Sequence, residues 1–300
     1  MKTLSIRFVA AAILGLAATT AAAQGFRINK TDGTKLYLKD SEVESIELYE
    51  ADEEPQPGED EAEKTFTVTG NGKTVTFKMK LVEAGTFQMG RAGTEDVATP
   101  VHSVTLSKNY YMGETEVTQE LWYAVMGQKP TSDGGQWSST NGLGDKNPAY
   151  YVSWNDCQTF ITKLNALTGA TFRLPTEAEW EFAAKGGNKS KGYTYAGSNT
   201  IGDVAWYSDN SSSKTHEVKG KAANELGLYD MSGNVWEWCQ DWYGSYSSEA
   251  QTDPTGPTSG SSRVNRGGSW CSSATHCRVA FRYWNNASFR NISLGLRLAL

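Results

Sequence analysis

Four cysteines and three histidines are the residues of this chain best suited to redox, metal or nucleophilic chemistry. They are Cys157, Cys239, Cys271 and Cys277, with His102, His216 and His276. No CxxC occurs, and the step of six from Cys271 to Cys277 is no zinc-ribbon pattern. The histidines have no zinc-type spacing either. A serine hydrolase is not indicated, because no GxSxG elbow is present. No phosphate-cradling glycine loop is visible, and Gly267-Gly268 instead lets the backbone pass close under Trp270. His276 beside Cys277 is placed to add an imidazole ligand or to lower a thiol pKa. The C-terminal segment offers a different chemistry. Tyr283, Trp284, Asn285, Asn286, Ser288, Phe289, Asn291 and Ser293 fall among Arg278, Arg282, Arg290 and Arg297. Tyr, Trp, Ser and Asn are the composition of a paratope: rigid amphipathic rings with adaptable hydrogen-bonding partners.

The formal net charge of −6 over 300 residues averages two unlike regions. Residues 40–63 hold 12 acids and no base, while the remaining 276 residues hold 22 acids against 28 bases. The body is therefore mildly basic. It lacks the Lys/Arg stripe of a nucleic-acid binder, and its ten Trp and 38% hydrophobic content supply ample core.

Residues 1–23 read as a secretory signal. Lys2 and Arg7 precede an apolar run over 8–18, and Ala21-Ala22-Ala23 offers a cleavage site. No other stretch is long and apolar enough to span a membrane, so the expected product is an exported protein, periplasmic or at the cell surface. No Cys follows the apolar run to carry a lipid. Export places the cysteines in an oxidising compartment, where three pairings are open.

The elements that must position these groups follow from the pattern. Residues 24–49 show short alternating runs around Asp32-Gly33, which predicts a small β-rich module. Residues 50–64 are acidic and carry two prolines and a glycine, which predicts an extended linker. From residue 65 to 300 the chain reads as one irregular α+β domain. Thr74–Met79 alternates as a half-buried strand, and 80–89 and 101–111 read as further strands. Thr118 caps a helix over 119–126 that Gly127 ends. Asp156 is expected to cap a second helix bearing Phe160, Ile161, Leu164 and Leu167. Thr176 and Glu179 form a capping-box pattern before Trp180. Beyond Gly187, loops and short strands prevail, which need buried Trp, bound cations or disulfides to hold them.

Seven ordered blocks carry a family resemblance. They are Leu81–Gly90, Glu114–Thr118, Val152–Asp156, Arg173–Glu181, Gly227–Trp238, Arg266–Trp270 and Leu294–Arg297. In this order they resemble the formylglycine-generating enzyme (sulfatase-modifying factor) family. The resemblance covers about residues 78–300 and implies a C-type-lectin-like fold: a small twisted antiparallel sheet, two main helices and long irregular loops.

The family's enzymes use oxygen and copper(I) to oxidise a cysteine of a sulfatase polypeptide to formylglycine. Thiolates are soft ligands that suit copper(I). The resemblance places this chemistry on Cys271 and Cys277, with Ser269 and Trp236 beside them. The enzymes' two cysteines stand one position closer together, however, and their first follows the Gly-Gly-Ser-aromatic start one residue later. The competing expectation is that Cys277 pairs with Cys239 or is inert. The resemblance also implies calcium, held by the carboxylates of Asp230 and Glu237 and the carbonyls of Gly233 and Val235, oxygens that a hard cation takes. A second, partly kept calcium site falls near Asp203, Val204, Asn210 and Ser212. The C-terminal segment resembles, in turn, lectin-like binding proteins on the same scaffold, some of them diversified there by retroelements. On that reading Tyr283, Trp284, Asn285, Asn286 and Phe289 meet a protein or glycan ligand, and the protein is a monomer without catalysis.

Overall fold

The computed structural model describes residues 26–29, 35–38, 61–92, 97–130 and 137–300. The expected leader and most of the acidic linker lie outside them. The chain divides into two compact units, residues 1–59 and 60–300. The first contains an antiparallel hairpin of β1 (Phe26–Asn29) and β2 (Lys35–Leu38), with Phe26 opposite Leu38.

In the second unit the chain runs through β3 (Glu63–Gly70), β4 (Lys73–Val82), β5 (Gly85–Met89), β6 (His102–Leu106) and β7 (Tyr110–Gly113). Helices α1 (Gln119–Met126), α2 (Trp154–Thr168), α3 (Glu177–Ala184) and the short α4 (Ile201–Val204) follow. Then come β8 (Trp236–Trp242), β9 (Gln251–Thr252), β10 (Arg263–Arg266), β11 (Arg282–Asn285) and β12 (Leu294–Gly295). Among the described residues these strands form sheets in the orders β3-β4-β7, β5-β6-β9 and β11-β10-β8-β12. β3 begins at Glu63, inside the stretch read as linker, because its register with β4 carries the ladder on to Glu63 opposite Lys80.

The helices start where the sequence says they should, with one correction. Ser153, not Asp156, is the N-cap of α2; Asp156 is the reciprocal partner three residues on. Ser153 Oγ accepts the Asp156 amide, and the Asp156 carboxylate accepts the Ser153 amide. Thr176 and Glu179 make the same box on α3.

The Trp residues are mainly core. Trp122 and Trp238 lie in one cluster with α1, α2 and the face of β3-β4, and Trp122 stacks on Phe160 at 5.1 Å. Trp180 and Phe182 of α3 fill a second cluster with Val104, Cys239 and Val264. The end of the chain threads between these layers. Gly113 donates to Leu298 O at 2.8 Å, and Arg173 and Ala299 exchange backbone bonds. That threading carries Arg297 into the interior.

No disulfide braces the loop-rich half, and its four-stranded sheet β11-β10-β8-β12 is short-stranded. All four cysteines are free, so the expected Cys277–Cys239 pairing does not form. Three buried guanidiniums do the bracing. Arg266 pairs with Glu181, Arg282 forks onto Glu177 at 2.6 and 2.7 Å, and Arg297 forks onto Glu237. Two of these pairs tie strands β10 and β11 to α3, and the third ties the segment just after β12 to β8; most of the guanidinium donors are satisfied, Arg266 Nε excepted.

Candidate functional site

The Gly-Gly-Ser turn after β10 positions the two C-terminal cysteines. Gly267 and Gly268 adopt φ of 96° and 74°. A side chain at Gly268 would meet Cys277 Sγ at 2.7 Å and His276 O at 2.9 Å, so only glycine fits. Ser269 follows, fully buried. Its Oγ lies 3.4 Å from Cys271 Sγ, and its backbone N–H donates to Ser272 Oγ at 3.0 Å while lying close enough to Cys277 to lower that thiol's pKa. Cys271 is exposed, and Cys277 sits buried at the end of a 3-10 turn over Ala274–Cys277. Burial pushes the Cys277 thiol up to about 12, against a weaker downward pull from the Ser269 amide. That is the reverse of an activated thiolate. His276 does not reach in as a ligand; its ring packs on Phe281 at 4.6 Å. Among the described residues no group of three or more His, Cys, Asp or Glu is arranged to hold a metal. Two thiols are soft donors of the kind copper(I) takes, with Cys271 exposed and Cys277 favoured in its protonated form by burial while no metal is bound.

Of the expected calcium residues, Asp230 and Glu237 lie within each other's electrostatic reach. Asp230 sits at φ 58°, a left-handed turn that Asp tolerates. Its Oδ2 accepts the Lys219 amide at 2.8 Å, while its buried Oδ1 has no donor. Burial raises the Asp230 carboxyl to about 6. Glu237 is differently placed: Arg297 reaches both of its oxygens, at 2.8 to 3.1 Å, and Trp180 Nε1 donates at 2.6 Å. A third carboxylate, Glu116, joins them. It accepts from Val235 N at 2.9 Å and Asn234 Nδ2 at 2.7 Å, and burial, with Asp230 and Glu237 nearby, holds its carboxyl well above the usual range. Three buried acids thus face one guanidinium. The orphan Asp230 oxygen and the surplus negative charge suit a hard cation, but Glu237 has no oxygen to spare while Arg297 holds it. At the second expected site Asn210 is spent on its own turn, accepting from Tyr207 N and donating to Ala205 O, and Asp203 accepts from Ser198.

The C-terminal aromatic residues form one surface feature. Trp284 stacks on Tyr243 at 4.0 Å and on Tyr283 at 5.3 Å, and Tyr283 meets Trp236 at 5.8 Å. Trp236 in turn lies 6.4 Å from His276. A ladder of rings therefore runs from edge strand β11 back to the cysteine turn. Tyr283 and Phe289 are 45% and 41% exposed. Asn286 is spent locally, its Oδ1 accepting from Ser288, whereas the half-buried Asn285 makes no side-chain hydrogen bond among the described residues. Arg282 and Arg297, which punctuate this segment in sequence, do not belong to the surface; both are at most 1% exposed.

Sequence reasoning missed Glu116 and the partnership of Arg297 with Glu237. Both stand inside the family blocks, but nothing local says that residues 116, 230, 237 and 297 meet.

Small mixed sheets, few helices and long braced loops around a Gly-Gly-Ser turn define a C-type-lectin-like α+β protein. Residues 65–300 match the family of sulfatase-modifying factor enzyme 1-like domains, and the chain belongs to that family. It is 32% identical over 273 residues to a chaperone protein LppX of Paenibacillus barcinonensis, covering 77% of this chain and 91% of the relative. To a formylglycine-generating enzyme of Streptomyces coelicolor it is 31% identical over 278 residues, covering 72% and 86%. Among solved structures, Treponema denticola variable protein 1 superposes with a TM-score of 0.69 at 38% identity, covering 80% of this chain and 99% of that one. No helix among the described residues is long and apolar enough to cross a membrane.

Proposed function

We propose that this chain is an exported, monomeric ligand-binding member of the family, meeting a protein or glycan through its C-terminal aromatic segment. The observation that carries the reading is the ring ladder from Tyr243 through Trp284 and Tyr283 to Trp236, laid on an edge strand with Tyr283 exposed. Rigid rings held by stacking lose little entropy on binding, which is what contact anchors need. The likeness to a variable protein supports the same reading. Calcium at Asp230 would supply the missing charge and stiffen the turn beneath Trp236. The test is a screen of immobilised glycans and surface proteins, repeated with Tyr283→Ala and Trp284→Ala. Each substitution should weaken capture by about tenfold or more, the scale of an interface anchor. Unchanged capture by both variants sinks the proposal.

A second reading rests on Ser269, whose Oγ lies 3.4 Å from Cys271 Sγ and whose amide acts on the Cys277 thiol. On it Cys271 and Cys277 would hold the copper used to oxidise a sulfatase-type cysteine to formylglycine. Copper and oxygen would supply the oxidising power, while Ser269 orients the exposed Cys271 thiol. Mass measurement on a cysteine-containing sulfatase peptide, with copper and oxygen supplied, decides it. Aldehyde formed by the native protein and lost in Cys277→Ser establishes catalysis, and no aldehyde leaves the binding reading alone.

A further inference from the structure

A cavity of about 480 Å³ lies between the start of α3, the end of β8 and the loop 244–257. None of Cys271, Cys277, Tyr283 or Phe289 lines it. Its volume suits a small organic molecule.

The charged groups of its walls are paired off, with one exception. Glu177 accepts Arg282 Nε and Nη2 at 2.7 and 2.6 Å and the Tyr246 hydroxyl at 3.0 Å. Arg282 gives its Nη1 to Gly244 O. Behind them Glu181 takes Arg266 and Lys185, and Glu179 takes Arg173. Asp241 is the exception. It is 3% exposed, and its Oδ2 accepts the Glu177 amide at 2.9 Å. Its Oδ1 receives no hydrogen bond among the described residues, and no cation pairs with it. Arg263 is near but turned aside, sandwiched between Trp154 and Trp242 with Nη1 on Gln240 O.

Across the cavity His102 offers a second acceptor. Its Nδ1 lies 3.1 Å from Pro100 O, which can only accept, so Nδ1 is the donor there and in the neutral ring Nε2 is the acceptor. The hydroxyls of Ser245, Ser247 and Thr252 complete a polar wall.

We propose that this cavity binds a small organic cation bearing a protonated amine, its ammonium seated on Asp241. An ammonium brings donors to Oδ1 and His102 Nε2, and a positive charge in direct contact with Asp241, which Arg282, held by Glu177 and Gly244 O, supplies only through space. A neutral polyol brings donors without the charge, and an anion meets Asp241 unfavourably.

The seat is coupled to pH. Asp241 faces Glu177 and Glu179 of α3, Arg282 of β11, Arg263 of β10, Cys239 on its own strand, and His102 and Tyr246 across the cavity. Burial, and next the Glu177 charge, push its carboxyl up to about 8. The empty site therefore holds a proton at neutral pH, and the amine must displace it. Affinity should rise as pH rises and level off near that value.

The probes are trans-4-aminocyclohexanol and trans-1,4-cyclohexanediol, which differ in the ammonium. Titrations of the full chain are followed by calorimetry and tryptophan fluorescence, since Trp242 lines the cavity. The amine should bind saturably and at least about tenfold more tightly than the diol, and about tenfold more tightly at pH 7 than at pH 6. Asp241→Asn should abolish the preference for the amine, while His102→Gln keeps the pH slope. Should Asp241→Asn fail to fold, Ser247→Trp, which crowds the cavity wall, must abolish binding instead. Equal binding of amine and diol, an unchanged Asp241→Asn or Ser247→Trp, or no saturable binding of the amine at millimolar concentration overturns the proposal.

Discussion

Removing Arg297 should unfold the loop-rich half more readily than any surface change. Arg297 is fully buried and contacts four oxygens, both of Glu237 and Gly113 O and Tyr229 O each at 2.7 Å, while Glu116 and Asp230 act on it through space. It joins β7, the turn before Asp230 and β8 in one clamp. Arg297→Met keeps much of the bulk but leaves three buried acids without a guanidinium. Breaking a buried pair on one side costs about 3–5 kcal/mol, which for a unit of this size lowers Tm by about 6–20 °C. Burial already holds the Glu116 carboxyl well above its ordinary range and Asp230 at about 6. In the variant the folded state clings to protons that the unfolded chain releases. Groups raised in this way lose their stabilising contribution as pH rises, so the deficit should grow from pH 5 to pH 8, by at most about 1.4 kcal/mol per unit for each proton. Urea unfolding followed by tryptophan fluorescence measures both effects. Arg297→Met/Glu237→Gln should be more stable than Arg297→Met alone, because one uncompensated charge is gone. A deficit below about 1 kcal/mol that is flat with pH would refute the reasoning.

Other outcomes follow from single sites. Asp241 is raised to about 8 by burial, so native stability should fall as pH rises through that value, and Asp241→Asn should flatten the decline in a series of urea midpoints. Gly268→Ala combines a φ of 74° with a Cβ 2.7 Å from Cys277 Sγ, and should cost more than about 1 kcal/mol and alter the reactivity of both thiols towards an alkylating reagent. Ser153→Ala removes the α2 cap and should cost about 1 kcal/mol, measured as a shift in urea midpoint. Tyr283→Phe, at a half-exposed ring, should leave the melting temperature unchanged within about 1 °C.

The helices were legible because their signals are local. A cap residue, its partner three positions on and a glycine in a left-handed turn all lie within one or two turns of chain, as at Thr118 and Gly127. Even the mistaken cap at Asp156 was one half of the right box. The core of β4 was equally readable, since Val75 and Met79 alternate with exposed Thr74 and Thr76, whereas its partner β3 was not read as a strand. The break at Ala84 was not readable, because a run of apolar and polar residues through Lys80–Met89 looks continuous until β4 and β5 join different sheets.

The site was readable only in part, for the same physical reason. Sequence by itself determined the family, the Gly267-Gly268 turn (though it packs against Trp180 and Cys277, not under Trp270), the acids at 230 and 237 and the aromatic tail, because each depends on residue types within a few positions. Tertiary structure alone decided what those residues face. It sealed Cys277 away while leaving Cys271 exposed, and it turned Arg282 and Arg297 from a tail's surface charges into internal clamps. It gave Glu237 to Arg297 and left Asp230 and Asp241 each with an unanswered oxygen. Pairings such as Glu237 with Arg297 span 60 residues, and the desolvation that sets their charge states exists only once the chain has closed around them.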